Sequence, residues 1–163
     1  MMKPATISEI NKELELLSQK ELISLCARLL RFKKENKELV TYLLFDSMDT
    51  DGFVRNVNET VSTAFADLND SNVYLIKKSV RKILRTINKY IRFCGDTQME
   101  LAMRIHFCKM MQQFKSEFNS SQQLANIYTG QVEKIEKALT LLHEDLRSDF
   151  QNDLDDLYLA PGE

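Results

Sequence analysis

Residues 71–94 read SNVYLIKKSVRKILRTINKYIRFC and have the pattern of one long amphipathic helix. Apolar residues recur at helical spacing and form one stripe, which comprises Ile76, Val80, Ile83, Leu84, Ile87, Ile91 and Cys94. At about 100° per residue, all the positive side chains fall on the opposite half of the helix; they are Lys77, Lys78, Arg81, Lys82, Arg85, Lys89 and Arg92. The segment has no acidic residue. The pattern predicts a helix with one side in the core and a strongly basic side at the surface.

Gly and Pro, the residues that commonly end helices, are scarce in this chain of 163 residues. It has four Gly and two Pro, and both Pro lie near the ends, at Pro4 and Pro161. Because β-sandwiches and β-barrels need many more turn residues, the composition predicts long helices. The length fits a single helical domain over residues 1–163 with a substantial core. We expect residues 1–5 and 159–163 to be flexible ends.

Local patterns mark the starts of several helices. Three segments have the S/T-x-x-E spacing of a capping box, and they begin at Thr6, Ser18 and Thr97. The run Leu39–Phe45 (LVTYLLF) is too short to be typed by periodicity. Since the chain offers no second strand to pair with it, we predict a buried helix there.

The second half of the chain also has helical patterns. The helix predicted from Thr97 to about Phe118 is apolar nearly all round, which is typical of a central helix. From Leu124 to Leu157, apolar residues follow each other by threes and fours, and we predict one long C-terminal helix with a possible interruption at Gly130. Its last stretch, residues 144–156, is acidic.

These patterns together predict an all-α domain of six or seven helices. The arrangement is either an irregular orthogonal bundle or a short α-solenoid-like stack of the HEAT or armadillo kind. The stack is suggested by an internal similarity between residues 29–45 (LLRFKKENKELVTYLLF) and residues 90–107 (YIRFCGDTQMELAMRIHF), given a one-residue insertion. Chance similarity between two amphipathic segments is the alternative, and we favour it because the pattern is common.

No catalytic or cofactor-binding motif is found in the sequence, so we predict a protein that is not an enzyme and needs no cofactor. There is no Walker loop, G-x-G-x-x-G, G-x-S-x-G or H-E-x-x-H. The stretch from Ser47 faintly resembles a calcium loop, but Ser47 and Asn58 occupy its first and twelfth ligand places. His106 and Cys108 point apart on a helix, and no C-x₂₋₄-C pair is present. We predict no metal site.

The cysteines and the hydropathy pattern bear on the compartment. Three cysteines, at Cys26, Cys94 and Cys108, are odd in number and scattered, which indicates reduced thiols. No apolar run approaches the ~20 residues that span a bilayer, and the first residues lack the apolar core of a signal peptide. We therefore expect a cytoplasmic protein that does not bind membranes.

The function predicted from the sequence rests on the basic face of residues 71–94. We predict a non-catalytic module that binds an acidic protein partner through Lys77 to Arg92. Nucleic-acid binding through the same face is the first alternative, although a net charge of −2 does not suit it. Structural self-association through the long C-terminal helix is the second. The basic face can equally be solvated surface, or be covered by the acidic segment Glu144 to Asp156, so the position of that segment decides between these interpretations.

Overall fold

The computed structural model describes residues 3–68, 72–113 and 121–158. In these ranges the regular secondary structure is entirely helical, which confirms the all-α prediction. The eight α-helices are α1 (Ile7–Glu15), α2 (Gln19–Phe32), α3 (Lys34–Thr41), α4 (Thr50–Ala66), α5 (Val73–Cys94), α6 (Thr97–Gln112), α7 (Gln122–Leu139) and α8 (Glu144–Tyr158). The predicted number of six or seven is therefore too low. Of the two predicted flexible ends, residues 1–2 and 159–163 lie outside the described residues.

The chain divides into two compact units, Met1–Phe45 and Asp46–Glu163. The single domain over residues 1–163 stays a prediction. In the first unit, α2 packs against α3, and Lys33 is the one residue between the two helices. Its extended backbone (φ −142°, ψ 140°) turns the chain sharply. The Nδ2 atom of Asn36 donates to the carbonyl of Leu29 at 2.8 Å and ties the two helices together.

Capping boxes begin both α1 and α2, as predicted. The hydroxyl groups of Thr6 and Ser18 accept hydrogen bonds from the backbone N–H groups of Glu9 and Glu21. The two carboxylates accept in return from the backbone N–H groups of Thr6 and Ser18, at 2.7 and 2.8 Å. Each box satisfies N–H groups that a helix start leaves without an intrahelical partner.

The segment Leu39–Phe45 is helical, but the prediction that it is buried is wrong for its second half. A π-helical segment, Tyr42–Asp46, follows α3, and Tyr42 is buried. Leu43, Leu44 and Phe45 are exposed. The first unit has three α-helices, and none of their residues is buried. An apolar composition alone therefore does not determine that a segment is buried.

In the second unit α6 is the central helix, as predicted. It packs against α4, α5, α7 and α8, and its buried residues are Met99, Leu101, Met103, Arg104, Ile105, Phe107, Cys108 and Met111. The predicted capping box at Thr97 is wrong, because Asp96 is the cap and accepts from the backbone N–H of Met99 at 2.9 Å. Residues 114–118 of the predicted helix lie outside the described residues. The second unit is thus a bundle around one helix, and the solenoid-like stack is not confirmed.

The long C-terminal helix predicted from the sequence is wrong, because α7 and α8 are separated by residues 140–143. The break contains neither Gly nor Pro, while α7 continues through Gly130. Arg147 ends α7 by donating from Nε to the carbonyl of Leu139 and from Nη2 to the carbonyl of Leu142, both at 3.1 Å. The bond to Leu139 satisfies a carbonyl that the helix end leaves without an intrahelical donor, and the bond to Leu142 holds the break itself. The apolar residues on which the predicted self-association rests are largely in the core; those that are buried include Val132, Ile135, Leu139, Leu154 and Leu157.

Candidate functional site

Helix α5 positions the basic face predicted from residues 71–94, of which Ser71 lies outside the described residues. The helix begins at Asn72, whose Oδ1 accepts from the backbone N–H of Tyr74 at 2.8 Å. It ends at Gly95, which adopts the left-handed conformation (φ 60°) that favours glycine. The helix packs against α4 and α6 through a stripe of buried residues, namely Ile76, Val80, Ile83, Ile87 and Phe93. This stripe leaves the seven predicted cations on the surface side.

Four of these cations line an open groove of about 750 Å³ beside the first turn of α7. We call it the cationic groove, and its lining residues are Tyr74, Lys77, Lys78, Arg81, Leu84, Arg85, Asn88 and Gln123. Among the described residues that line it, none is acidic. The Nη2 atom of Arg81 donates to Oε1 of Gln123 at 3.1 Å, which joins α5 to α7 at the edge of the groove. Lys78, Arg81 and Arg85 are exposed, and Lys77 is half-buried.

The other three predicted cations lie in different surroundings. Lys82 lines a smaller cleft of about 360 Å³ between α4 and α5, together with Asp67. The Nζ atom of Lys89 lies 4.6 Å from the ring centroid of Tyr90, which is the distance of a cation–π contact. Arg92 is exposed in the last turn of α5, where a positive charge stabilises the helix dipole. The predicted site of seven residues is thus divided, and four of them share the groove.

The acidic segment of α8 packs away from the groove cations. α8 packs against α6 and α7, whereas α5 packs against α4 and α6. Asp153 of α8 forms its ion pair with Lys109 of α6, with Oδ1 and Nζ 2.5 Å apart. Within the described ranges, no carboxylate forms an ion pair with any of the four groove cations. Their charge is therefore not neutralised by the chain's own acidic segment.

A buried arginine that the sequence did not single out supports one wall of the groove. The Nη1 atom of Arg104 donates to Oε1 of Gln131 at 2.6 Å and to Oδ1 of Asn88 at 3.2 Å. Its Nε donates to Oε1 of Glu100 at 2.7 Å. Asn88 also lines the groove, so this network fixes a groove residue of α5 to both α6 and α7. The only local signal for it is the i, i+4 spacing of Glu100 and Arg104.

The residues considered for metal binding or nucleophilic chemistry have structural partners instead. His106 Nε2 lies 2.8 Å from Ser62 Oγ. Burial raises the pKa of the Cys108 thiol to about 12, which makes it a poor nucleophile. In the calcium-like loop, Asp49 is the cap of α4 and accepts from the backbone N–H of Gly52 at 2.9 Å; a Cβ atom on Gly52 would collide with its carboxylate. Across the described ranges, no three His, Cys, Asp or Glu side chains are grouped so that they could hold a metal ion.

The described helices are all too short or too polar to cross a lipid bilayer. Comparisons with protein families, with curated proteins and with solved structures found no match for this chain. The cationic groove is therefore the feature on which a functional proposal has to rest.

Proposed function

We propose that the protein is a non-catalytic interaction module that binds an acidic segment of a partner protein in the cationic groove. The observation that supports it is the gathering of four cations in one groove whose described lining contains no acidic residue. The whole chain has a net charge of −2, so this groove has a local charge opposite to that of the molecule. A concave surface lined by one sign of charge attracts and orients a partner of the other sign.

The spacing of the cations suits an extended acidic polypeptide. Lys77 and Arg85 lie about 12 Å apart along the axis of α5, given a rise of about 1.5 Å per residue. Arg81 and Arg85 carry guanidinium groups, which can each bind a carboxylate through two parallel hydrogen bonds. The remaining lining residues include apolar contact surface at Leu84 and an amide group at Gln123, which can hydrogen-bond to a peptide backbone.

Nucleic-acid binding is the second candidate, and Tyr74 is the observation that favours it. Its exposed ring lies in the same groove as Lys77 and Lys78. Single-stranded nucleic acids are bound by such combinations of cations and aromatic rings, since phosphates need positive charge and bases stack on aromatic faces. The acidic character of the rest of the chain opposes this candidate, because nucleic-acid-binding domains are commonly strongly basic.

Titration of two fluorescent probes of equal charge distinguishes these functions. One probe is an oligo-glutamate peptide and the other is a single-stranded oligonucleotide, both followed by fluorescence anisotropy over a salt series. Reversal of three groove cations (Lys78→Glu, Arg81→Glu and Arg85→Glu) should weaken peptide binding by about tenfold to hundredfold, because each reversal replaces an attraction by a repulsion.

The matched control reverses three exposed cations outside the groove, namely Arg55→Glu, Lys134→Glu and Lys137→Glu. This variant has the same net charge as the groove variant and should retain peptide binding. Equal losses in the two variants would mean that net charge alone determines binding, which contradicts the proposal. Tighter binding of the oligonucleotide than of the peptide, lost in the groove variant, would favour the nucleic-acid candidate instead.

A further inference from the structure

The first unit, Met1–Phe45, has large apolar side chains at its surface. None of the residues of its three α-helices is buried. Ile7 is 74% exposed and Phe32 is 77% exposed. The exposed apolar residues of α1 and α2 are Ile7, Ile10, Ile23, Leu25, Leu29 and Phe32. Single apolar residues on a surface are ordinary, but two consecutive helices that carry six of them and bury no residue are typical of an interaction surface.

Most of these residues form one stripe on each helix. In α1 and just beyond it, Ile7, Ile10, Leu14 and Leu17 follow a 3-4-3 spacing, which keeps them on one side of the helix. In α2 the corresponding stripe contains Leu22, Leu25, Cys26, Leu29 and Phe32 within an arc of about 120°. Such stripes are the surfaces that paired helices bury against each other.

The charged residues of the first unit differ in sign along its sequence. Residues 7–21 contain four Glu and two Lys, a net charge of −2. Residues 22–37 contain five Lys or Arg and one Glu, a net charge of +4. Glu13 and Glu15 in the acidic half, and Arg28 and Arg31 in the basic half, are exposed and form no ion pair with any described residue. The charges of both halves are thus available to a partner.

We infer that two copies of this chain associate through α1 and α2, with α1 of each copy packed against α2 of the other. The acidic residues 7–21 of each copy face the basic residues 22–37 of the other, and the two apolar stripes are buried between them. A two-fold axis that brings α1 onto α2 of the other copy also brings α2 onto α1, so both contacts join opposite charges. Pairing α1 with α1 and α2 with α2 would place like charges together.

Charge reversal in the full-length chain tests this inference. The first variant carries Glu13→Lys and Glu15→Lys, which change the net charge of residues 7–21 from −2 to +2; the second carries Arg28→Glu and Arg31→Glu, which change the net charge of residues 22–32 in α2 from +2 to −2. These four positions leave the capping residues Glu9 and Glu21 intact. In sedimentation velocity over a concentration series, the wild-type chain should dimerise, each variant alone should be at least about tenfold weaker, and an equimolar mixture of the two should recover the dimer.

The recovery in the mixture separates loss of association from loss of folding, because a misfolded variant would not associate with the other. A wild-type chain that stays monomeric up to millimolar concentration would overturn the inference. So would two variants that dimerise as well as the wild type.

Cysteine cross-linking tests which helices pair. In chains in which Cys26→Ser removes the exposed native thiol, Ile10→Cys in one copy should cross-link to Leu29→Cys in the other. Efficient cross-linking between two Ile10→Cys copies would indicate that α1 packs against α1 and would overturn the inference. Neither experiment changes a residue of the cationic groove, so failure here leaves the proposed function intact.

Discussion

Residues 29–45 and 90–107 are similar in sequence and have opposite surroundings in the structure. Both contain a helix end, a short turn and the start of an apolar helix. In the second segment Phe107 is 0% exposed, at the centre of a helix covered by α4, α5, α7 and α8. Its counterpart Phe45 is 74% exposed. An apolar helical pattern therefore specifies a helix, whereas its burial depends on how many other helices pack on it.

The turns of the two segments also differ. In the first segment the chain turns at Lys33, which has an extended backbone. In the second it turns at Gly95, which is left-handed, and Asp96 then caps the next helix. The similarity in sequence therefore does not extend to the backbone conformation of the turn.

The largest difference between the two units should appear in thiol reactivity. Burial raises the pKa of Cys108 to about 12, so at pH 8 only about one thiol in 10⁴ is ionised, and alkylation needs the thiolate. Cys26 of the first unit is exposed. Treatment of the native protein with iodoacetamide, followed by mass spectrometry, should modify Cys26 while Cys108 stays unmodified. The variants Cys26→Ser and Cys108→Ser assign the signals, and comparable rates at the two thiols in the native protein would contradict the described burial.

Truncation of the two matched phenylalanines should give the next largest difference. Phe107 packs against Phe65 with ring centroids 5.6 Å apart, so Phe107→Ala should lower the free energy of unfolding by about 3–5 kcal/mol. Phe45→Ala removes an exposed ring and should change it by less than about 0.5 kcal/mol. Urea unfolding followed by circular dichroism measures both. If the two variants lost similar stability, Phe45 would have to be buried in solution.

A smaller effect, on the dependence of stability on pH, is expected from the residue before each phenylalanine. This residue is Leu44 in the first segment and His106 in the second. Burial lowers the pKa of His106 below its ordinary value of 6.5. As the pH falls, the His106 ring is therefore protonated in the unfolded chain at a higher pH than in the folded protein. The stability that neutral His106 contributes is complete above about pH 6.5 and decreases as the pH falls below it.

Urea midpoints measured between pH 7.5 and pH 5.5 check this sign. The variant His106→Gln should show a weaker dependence on pH than the wild type over this window. His143→Gln is the control, because His143 is exposed on the surface. A wild-type midpoint that rises as the pH falls, and no longer does so in His106→Gln, would contradict the prediction.

Local patterns in the sequence were sufficient for most helices and for the face of α5 that carries the groove. The capping boxes at Thr6 and Ser18 each involve residues three positions apart. The separation of apolar and basic residues onto two sides of α5 likewise follows from short spacings within one helix. The end of α7 was missed because the carbonyl of its last residue, Leu139, accepts from the side chain of Arg147, and no glycine turn marks it.

The rest of the groove could not be predicted because its members are distant in sequence. Gln123 is 42 residues from its partner Arg81. Gln131 is 27 residues from Arg104, and Asn88 is 16 residues from it. Periodicity relates only residues within one helix, so contacts of this kind depend on the packing of three helices. The same limit hid the separation of Lys82, which lines the smaller cleft, from the four cations that line the groove.

The network around Arg104 also restricts how the helices can slide past each other. Its guanidinium group bonds to Asn88 of α5 on one side and to Gln131 of α7 on the other. Displacing either neighbour by one helical turn, about 5.4 Å, would break one of these bonds and leave a buried charge with too few acceptors. Apolar side chains alone tolerate such displacements more readily, since one methyl group can replace another. Arg104 therefore sets the axial register of the bundle, and with it the alignment of the groove cations on α5 with Gln123 on α7.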